Sequence, residues 1–315
     1  MNKILTIKRV VLSLLVILPF TAKAQTDIQL SQQLFNRVYY NPAAAGASQY
    51  TNGVLIARQQ WVGFPKSPQL LVFSGDTYLP KINSGLGLSI IADRLGIEHS
   101  NNFNLSYSYH LRVGSETNLS FGLSAGVLYR SVDAGSVVFP DPTDPNTGIL
   151  MQEENKLSPD FNFGLELNHR NFTLGAAVTH LARSSSKADD LTAGRHFYLY
   201  GRYRFTITPE WDLVPTLAAQ NNIKDYQLEA NLMCFYKQKY WLGASFRTNE
   251  KLESESLVAM LGFYIADLVR IGYAYDLNVG KLNSFSSGSH ELMLGIRIKP
   301  KTSSSNKTPR LFLEY

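Results

Sequence analysis

The stretch "VRIGYAYDL" (269–277) places Val269, Ile271, Tyr273, Tyr275 and Leu277 on one parity and Arg270, Gly272, Ala274 and Asp276 on the other. Successive side chains of an extended chain point to opposite faces, so this is a strand with one bulky apolar face and one face of small and charged residues. The alternation recurs. Phe103, Leu105, Tyr107, Tyr109 and Leu111 oppose Asn102, Asn104, Ser106, Ser108, His110 and Arg112, and Leu119, Phe121, Leu123, Ala125, Val127 and Tyr129 oppose Ser120, Gly122, Ser124, Gly126, Leu128 and Arg130. Residues 161–168, 226–237 and 291–298 read the same way. Such runs of about ten residues suffice to cross a bilayer at a tilt and exceed the usual globular strand. The pattern predicts about fourteen strands, centred near residues 57, 73, 88, 106, 124, 163, 175, 201, 215, 231, 243, 260, 272 and 294. The first, second and ninth are the least regular: alternation is poor around "VLIARQQW", and Pro215 sits inside the ninth.

Connection lengths carry a second signal. Tight links such as "LPKINS", "VGSE", "NHRN", "YKQK" and "IAD" follow even-numbered strands, whereas the long connections, at 131–157, 181–194, 248–255 and 278–288, follow odd-numbered ones. Short turns at one end and long loops at the other are the asymmetry of an outer-membrane barrel. A soluble sandwich has no reason to sort its loops this way. The usual orientation places the short turns and both termini in the periplasm.

The N-terminus agrees on compartment. "MNKILTIKR" is basic, "VVLSLLVILPF" is apolar, and Ala22-Lys23-Ala24 fits a cleavage site, together a secretory signal peptide with the mature chain starting at Gln25. Pro19 and Lys23 interrupt the apolar run short of a membrane-spanning helix. The leader holds Lys3, Lys8, Arg9 and Lys23 and no acid, so the excess of 30 basic over 25 acidic residues largely leaves with it. Without a concentrated positive footprint, nucleic acid is not an expected partner. Cys234 stands alone, which rules out an intramolecular disulfide framework or a CxxC metal site.

The opening parity assigns side chains to lipid or lumen. Trp61, Tyr78, Trp211, Tyr240 and Tyr264 near strand ends suit the headgroup girdles. The lumen should hold Arg112, Arg130, Glu166, Arg202, Arg204, Glu229, Arg247, Arg270, Asp276, Glu291 and Arg297, charges of both signs suited to cross-bridging. Neither catalysis nor metal binding finds support. The six histidines are scattered, and in Ser289-His290-Glu291 neighbouring side chains point to opposite faces and cannot form a nucleophile–base pair. Asp141, Asp144 and Asn146 in "FPDPTDPNTG", with Glu153-Glu154 beside them, read as turn chemistry and a solvated loop rather than a calcium loop. No catalytic residue, cofactor or metal is expected.

The elements "LFNRVYYNPAAAG", "ARQQWVGF", "SGLGLSIIADRLG", "LSYSYHLR", "LSFGLSAGVLY", "PDFNFGLEL", "GRYRF", "YWLGASFRT", "SLVAMLGFYI", "RIGYAYDL" and "SSGSHELMLGIRI" follow one another in this order. On them the chain resembles the PorP/SprF family, outer-membrane proteins of the type IX secretion and gliding machinery of Bacteroidetes. The resemblance implies an all-β fold, a transmembrane antiparallel barrel of fourteen strands integral to the outer membrane. It also implies periplasmic and outer-membrane components of the secretion machinery and a secreted cargo protein as partners, beside outer-membrane lipid. Departures fall in the loop at 131–157 and the tail after Ile298, where partner choice would lie. A passive porin or uptake channel is the alternative function.

The organisation expected is a signal peptide over 1–24, a periplasmic N-terminal segment over 25–51, a barrel over 52–299 and a periplasmic tail over 300–315. The N-terminal segment carries Leu34, Phe35, Tyr39 and Tyr40 ahead of an Asn41-Pro42 turn signal, and these apolar groups need burial. We expect residues 27–46 to plug the lumen, with small Ala43, Ala44, Ala45 and Gly46 permitting close backbone packing; a docking surface is the competing reading. Asn41, Pro42, Ala43, Gly46, Arg58, Gln59, Gln60 and Trp61 form the candidate partner or plug set. In the tail, Leu311, Phe312, Leu313 and Tyr315 form a candidate docking motif.

Overall fold

The computed structural model describes residues 30–133, 154–182, 194–221, 226–248, 254–279 and 286–299. The leader, the calcium candidates in 141–153 and the docking motif of the tail lie outside the described residues, as does the side chain of Glu154. Fourteen antiparallel strands form one closed barrel. They are β1 Thr51–Gln59, β2 Gln69–Leu79, β3 Ser84–Leu95, β4 Glu98–Arg112, β5 Thr117–Val132, β6 Glu154–His169, β7 Phe172–Thr179, β8 His196–Tyr203 continued by Phe205–Thr208, β9 Trp211–Asn221, β10 Tyr226–Tyr236, β11 Tyr240–Thr248, β12 Ser254–Ile265, β13 Val269–Asn278 and β14 Ser289–Ile298. Each pairs with its sequence neighbour, and β1 closes onto β14 from Thr51↔Ile298 to Gln59↔His290. Closure leaves no free edge, the condition for a sheet in hydrocarbon.

The irregularity of the ninth strand has a local cause. Pro215 has no N–H to give, and the ladder between β8 and β9 skips from Leu213↔Phe205 to Thr216↔Arg202 around it, where Arg204 interrupts β8. Arg204 N donates instead to Asn171 O at 2.8 Å.

Parity sets the two faces as the alternation predicts. Leu105, Leu123, Leu217, Leu242 and Leu292 are more than half exposed on the outer face, while alternate positions are buried in the lumen. Three expectations need correction. Tyr264 is 1 % exposed and faces inward, its ring against the Arg297 guanidinium at 4.6 Å, and Tyr78 also lies on the inward parity, 5.6 Å from the His110 ring; of the five girdle aromatics Trp211 and Tyr240 remain exposed at strand starts. Arg112, at the last position of β4, is exposed rather than lumenal, because the strand has by then left the shelter of the inward wall. Loop length is sorted less strictly than parity suggests: β3 and β4 join through only Gly96-Ile97, where Gly96 at φ +63° permits a two-residue turn.

Residues 30–48 run inside the barrel. A 3-10 turn (Gln33–Phe35), one α-helical turn (Arg37–Tyr40) and a second 3-10 turn (Pro42–Ala44) follow one another. The Asn41 side chain accepts from Ala43 N at 2.9 Å, and Pro42 follows it at the first position of the turn, so the Asn-Pro pair starts a turn here as its chemistry requires. Leu30, Leu34, Phe35, Val38, Tyr40 and Ala43 to Ala45 are buried.

Candidate functional site: a chain segment held inside the lumen

Buried charges hold the first residues of the segment. Glu291 of β14 accepts hydrogen bonds from Ser31 N at 2.7 Å and Gln32 N at 2.8 Å. Arg58 of β1 donates to Ser31 Oγ at 2.9 Å, to Asp276 of β13 at 2.8 Å and to Glu291 at 3.4 Å. Arg247 of β11 reaches Asp276 at 2.8 Å, Glu229 of β10 at 3.0 Å and Leu30 O at 3.1 Å. All five charged side chains are buried, so their ion pairs are little screened by water, and three carboxylates facing two guanidiniums are further compensated by the two backbone N–H groups on Glu291. Removing one member of such a set strands its partner in the dry interior, which costs several kcal/mol.

Next along the chain, apolar anchors take over. Phe35 packs against Trp241 and Phe235 at ring separations of 4.9 and 6.3 Å, within a cluster that includes Leu34, Val54, Ile56, Met233, Val258, Met260 and Met293. The Arg270 guanidinium lies 5.1 Å from the Phe35 ring and donates to Phe35 O at 3.0 Å, so one cation grips both ring and backbone. Arg37 then pairs with Glu166 of β6 at 2.6 Å, and Glu166 also accepts from Asn168 at 2.8 Å and from Tyr200. Burial works against the Arg37 charge, but the Glu166 carboxylate outweighs it and raises the guanidinium's pKa above its ordinary value. Asn41 Nδ2 donates to Leu165 O at 2.9 Å and Tyr200 Oη at 3.1 Å.

The last part of the segment lies backbone to backbone on the wall. A Cβ added to Gly85, Gly122 or Gly164 would fall 2.0 Å from Ala45 O, 2.1 Å from Ala43 N and 1.9 Å from Asn41 Oδ1 respectively. Only glycine permits that approach. Ser108 Oγ donates to Ala45 O at 2.6 Å, His110 Nε2 sits 3.0 Å from the same oxygen, and Gly46 N donates to Asp76 at 2.8 Å. Beyond Tyr39, Tyr40 and Pro42 the lumen holds a polar cavity of about 100 Å³ whose wall includes Asp160, with Asn102, Asn104 and His180 hydrogen-bonded to that carboxylate at 2.9, 2.8 and 2.8 Å.

The sequence candidates divide accordingly. Asn41, Pro42, Ala43, Gly46 and Arg58 meet in the lumen, whereas Gln59 is exposed on the outer parity and Gln60 and Trp61 belong to the rim. There Trp61 N donates to Ser289 Oγ at 3.3 Å, Val62 N to Gly288 O at 2.9 Å and Ser287 N to Val62 O at 2.8 Å, so "RQQWVGF" and "SSGSHE" are neighbours that send Arg58 and Glu291 to the same Ser31. His290 points outward between Tyr273 and Tyr275, away from Ser289 and Glu291. Among the described residues no group of His, Cys, Asp and Glu is arranged to hold a metal ion. Sequence reasoning missed Ser31, Gln32 and the apolar lumen residues Met233, Phe235, Trp241, Met260 and Met293. The available signal was their inward parity: apolar side chains there need an apolar occupant.

Among solved structures, the Ralstonia pickettii toluene transporter TbuX is similar at 12% identity and a TM-score of 0.52, over 88% of this chain and 95% of that one. The Acinetobacter baumannii outer membrane protein Omp33 is similar at 10% identity and a TM-score of 0.45, over 80% of this chain and 99% of that one. At such identities the likeness concerns the barrel fold. No curated protein matches the sequence. A family model, the type IX secretion system membrane protein PorP/SprF, matches residues 22–296. This covers the lumenal segment and all but the end of the barrel, and the chain belongs to the PorP/SprF family.

Proposed function

We propose that this protein is a plugged outer-membrane component of the type IX secretion and gliding machinery, supporting export or surface attachment of secreted proteins through protein–protein contacts and carrying out no catalysis itself. The observation that carries the reading is the convergence of three motif elements on residues 30–46: Arg58 and Glu291 grip its start, and Asn41 to Gly46 lie on the glycines of β3, β5 and β6. A lumen filled by its own chain speaks against an open, porin-like pore. In this reading the short turns and the tail face the periplasm, where the tail meets the machinery; the start of the described segment, held by Arg58 and Glu291 at the strand ends that carry the longer connections, lies at the opposite rim with the loops that meet cargo. The tail after Lys299 docks partners: Lys301, Lys307 and Arg310 keep it in water, while Leu311, Phe312, Leu313 and Tyr315 supply the apolar contact.

Deleting the gene tests the reading. Surface display of one or more secreted proteins should be lost with nutrient uptake intact; loss of uptake with display intact would support the passive channel instead. Truncation after Lys299 should leave a heat-modifiable barrel in the outer membrane that co-purifies less machinery. A truncated chain that fails to assemble would make the terminal aromatic an insertion signal.

A further inference from the structure

Arg202 of β8 is 2 % exposed, and among the described residues none of its three nitrogens has a hydrogen-bond partner. Thr216, its ladder partner on β9, is 7 % exposed and its hydroxyl also has no partner among the described residues. Both line a cavity of about 40 Å³ whose other side is formed by Gln33, Leu34, Arg37 and Tyr40 of the lumenal segment. Buried polar groups nearly always find partners, and a buried cation without one is the costliest exception. Losing its proton offers arginine no escape, because the guanidinium stays charged in proteins. The carboxylate acting on it, Glu166, is already taken by Arg37, Asn168 and Tyr200, leaving two guanidiniums to one carboxylate here. Glu229 lines the cavity too, but its oxygens bind Ser245 and Arg247.

We infer that Arg202 and Thr216 form a binding site for a small monovalent anion of halide size, at the seam between the barrel wall and the lumenal segment. The cavity has room for about three waters, hence for a halide with one or two of them, and not for a sugar or a phosphate ester. The guanidinium supplies the charge and the fork of donors, and the Thr216 hydroxyl a further donor. Because Leu34, Arg37 and Tyr40 line the cavity, a bound anion helps to retain the segment in the lumen. The site stands independently of the secretion reading.

The test uses the full-length protein in detergent, with bromide replacing gluconate at constant ionic strength. The heat-unfolding midpoint should rise with bromide and saturate, as linkage to one site requires. Crystals grown in bromide should show an anomalous peak within hydrogen-bond distance of Arg202 and Thr216. Arg202→Met should abolish the bromide-dependent shift and unfold at higher temperature than wild type in gluconate, since the uncompensated charge is gone. Thr216→Val, which preserves shape if the arginine variant does not assemble, should raise the half-effect bromide concentration about tenfold, the share of one hydrogen bond to a charged group. A wild-type midpoint indifferent to bromide, the outcome if another acidic side chain of the chain fills the cavity, overturns the proposal. A bromide shift that persists in Arg202→Met overturns it as well.

Discussion

Replacing Gly122 by leucine attacks the contact between segment and wall without touching the lipid-facing surface. Even a bare Cβ at this position would lie 2.1 Å from Ala43 N and 2.3 Å from the Pro42 carbonyl carbon, both backbone atoms that no rotamer change can move. Ordinary contact therefore requires residues 42–45 to retreat by more than 1 Å. That displacement breaks the bonds from Ser108 and His110 to Ala45 O, from Gly46 N to Asp76 and from Asn41 to Leu165 O, all between 2.6 and 3.0 Å. At about 1 kcal/mol net for each of these four bonds, with overpacking adding about 1–3 kcal/mol if the segment stays, retention of residues 41–46 weakens by roughly 5–7 kcal/mol. The equilibrium then shifts about 4,000- to 100,000-fold toward a lifted segment. Leu30 to Arg37 keep their own anchors, so the lumen opens only along the β3–β6 wall. Heat-modifiability on gels should persist, while liposomes carrying the variant should swell in a small sugar faster than those carrying wild type. Gly53→Ala, outward-facing and near only flexible atoms of Ile296, should match wild type in both assays. Wild-type swelling rates for Gly122→Leu, with an assembled barrel, would refute the argument that this wall holds the segment.

Arg58→Met and Glu291→Met should each lower the unfolding midpoint, and the double variant should lose less than their sum, with a coupling of about 0.5–3 kcal/mol; strict additivity in a double-mutant cycle would deny the pairing. Ile271→Arg, facing hydrocarbon on β13, should cost roughly 2–4 kcal/mol near the membrane midplane by equilibrium unfolding, and an unchanged midpoint would place that face away from lipid. With Cys234 replaced by serine, Ile97→Cys should react with a membrane-impermeant reagent on intact cells and Gln238→Cys should not, and the reverse pattern would invert the barrel.

The barrel was legible because one face of each strand must meet lipid and therefore reads as mostly bulky and apolar, as Val269 to Leu277 do, with the first strand, whose outward positions include Gly53, Ala57 and Gln59, the least regular. All fourteen strand centres fall within a few residues of the observed ones, the proline-bearing ninth included. Parity could not fix what the inward face touches. Tyr264 reads as a girdle aromatic because strand-end position is all the sequence offers, yet it packs against Trp241 and Arg297 inside. Met233, Phe235, Met260 and Met293 fit no polar lumen, and their role becomes visible only with Leu34 and Phe35 beside them. Arg58 and Glu291 meet across the closure of the barrel, a contact of sequence separation 233 that no local pattern encodes.

Planar-bilayer recording on the purified protein bears most directly on the central claim that residues 30–48 fill the lumen. Wild-type protein should show no stable conductance steps, and deletion of residues 30–46 should produce them while the barrel still migrates in its heat-modifiable form. Porin-like steps from the wild type, unchanged by the deletion, would contradict the claim.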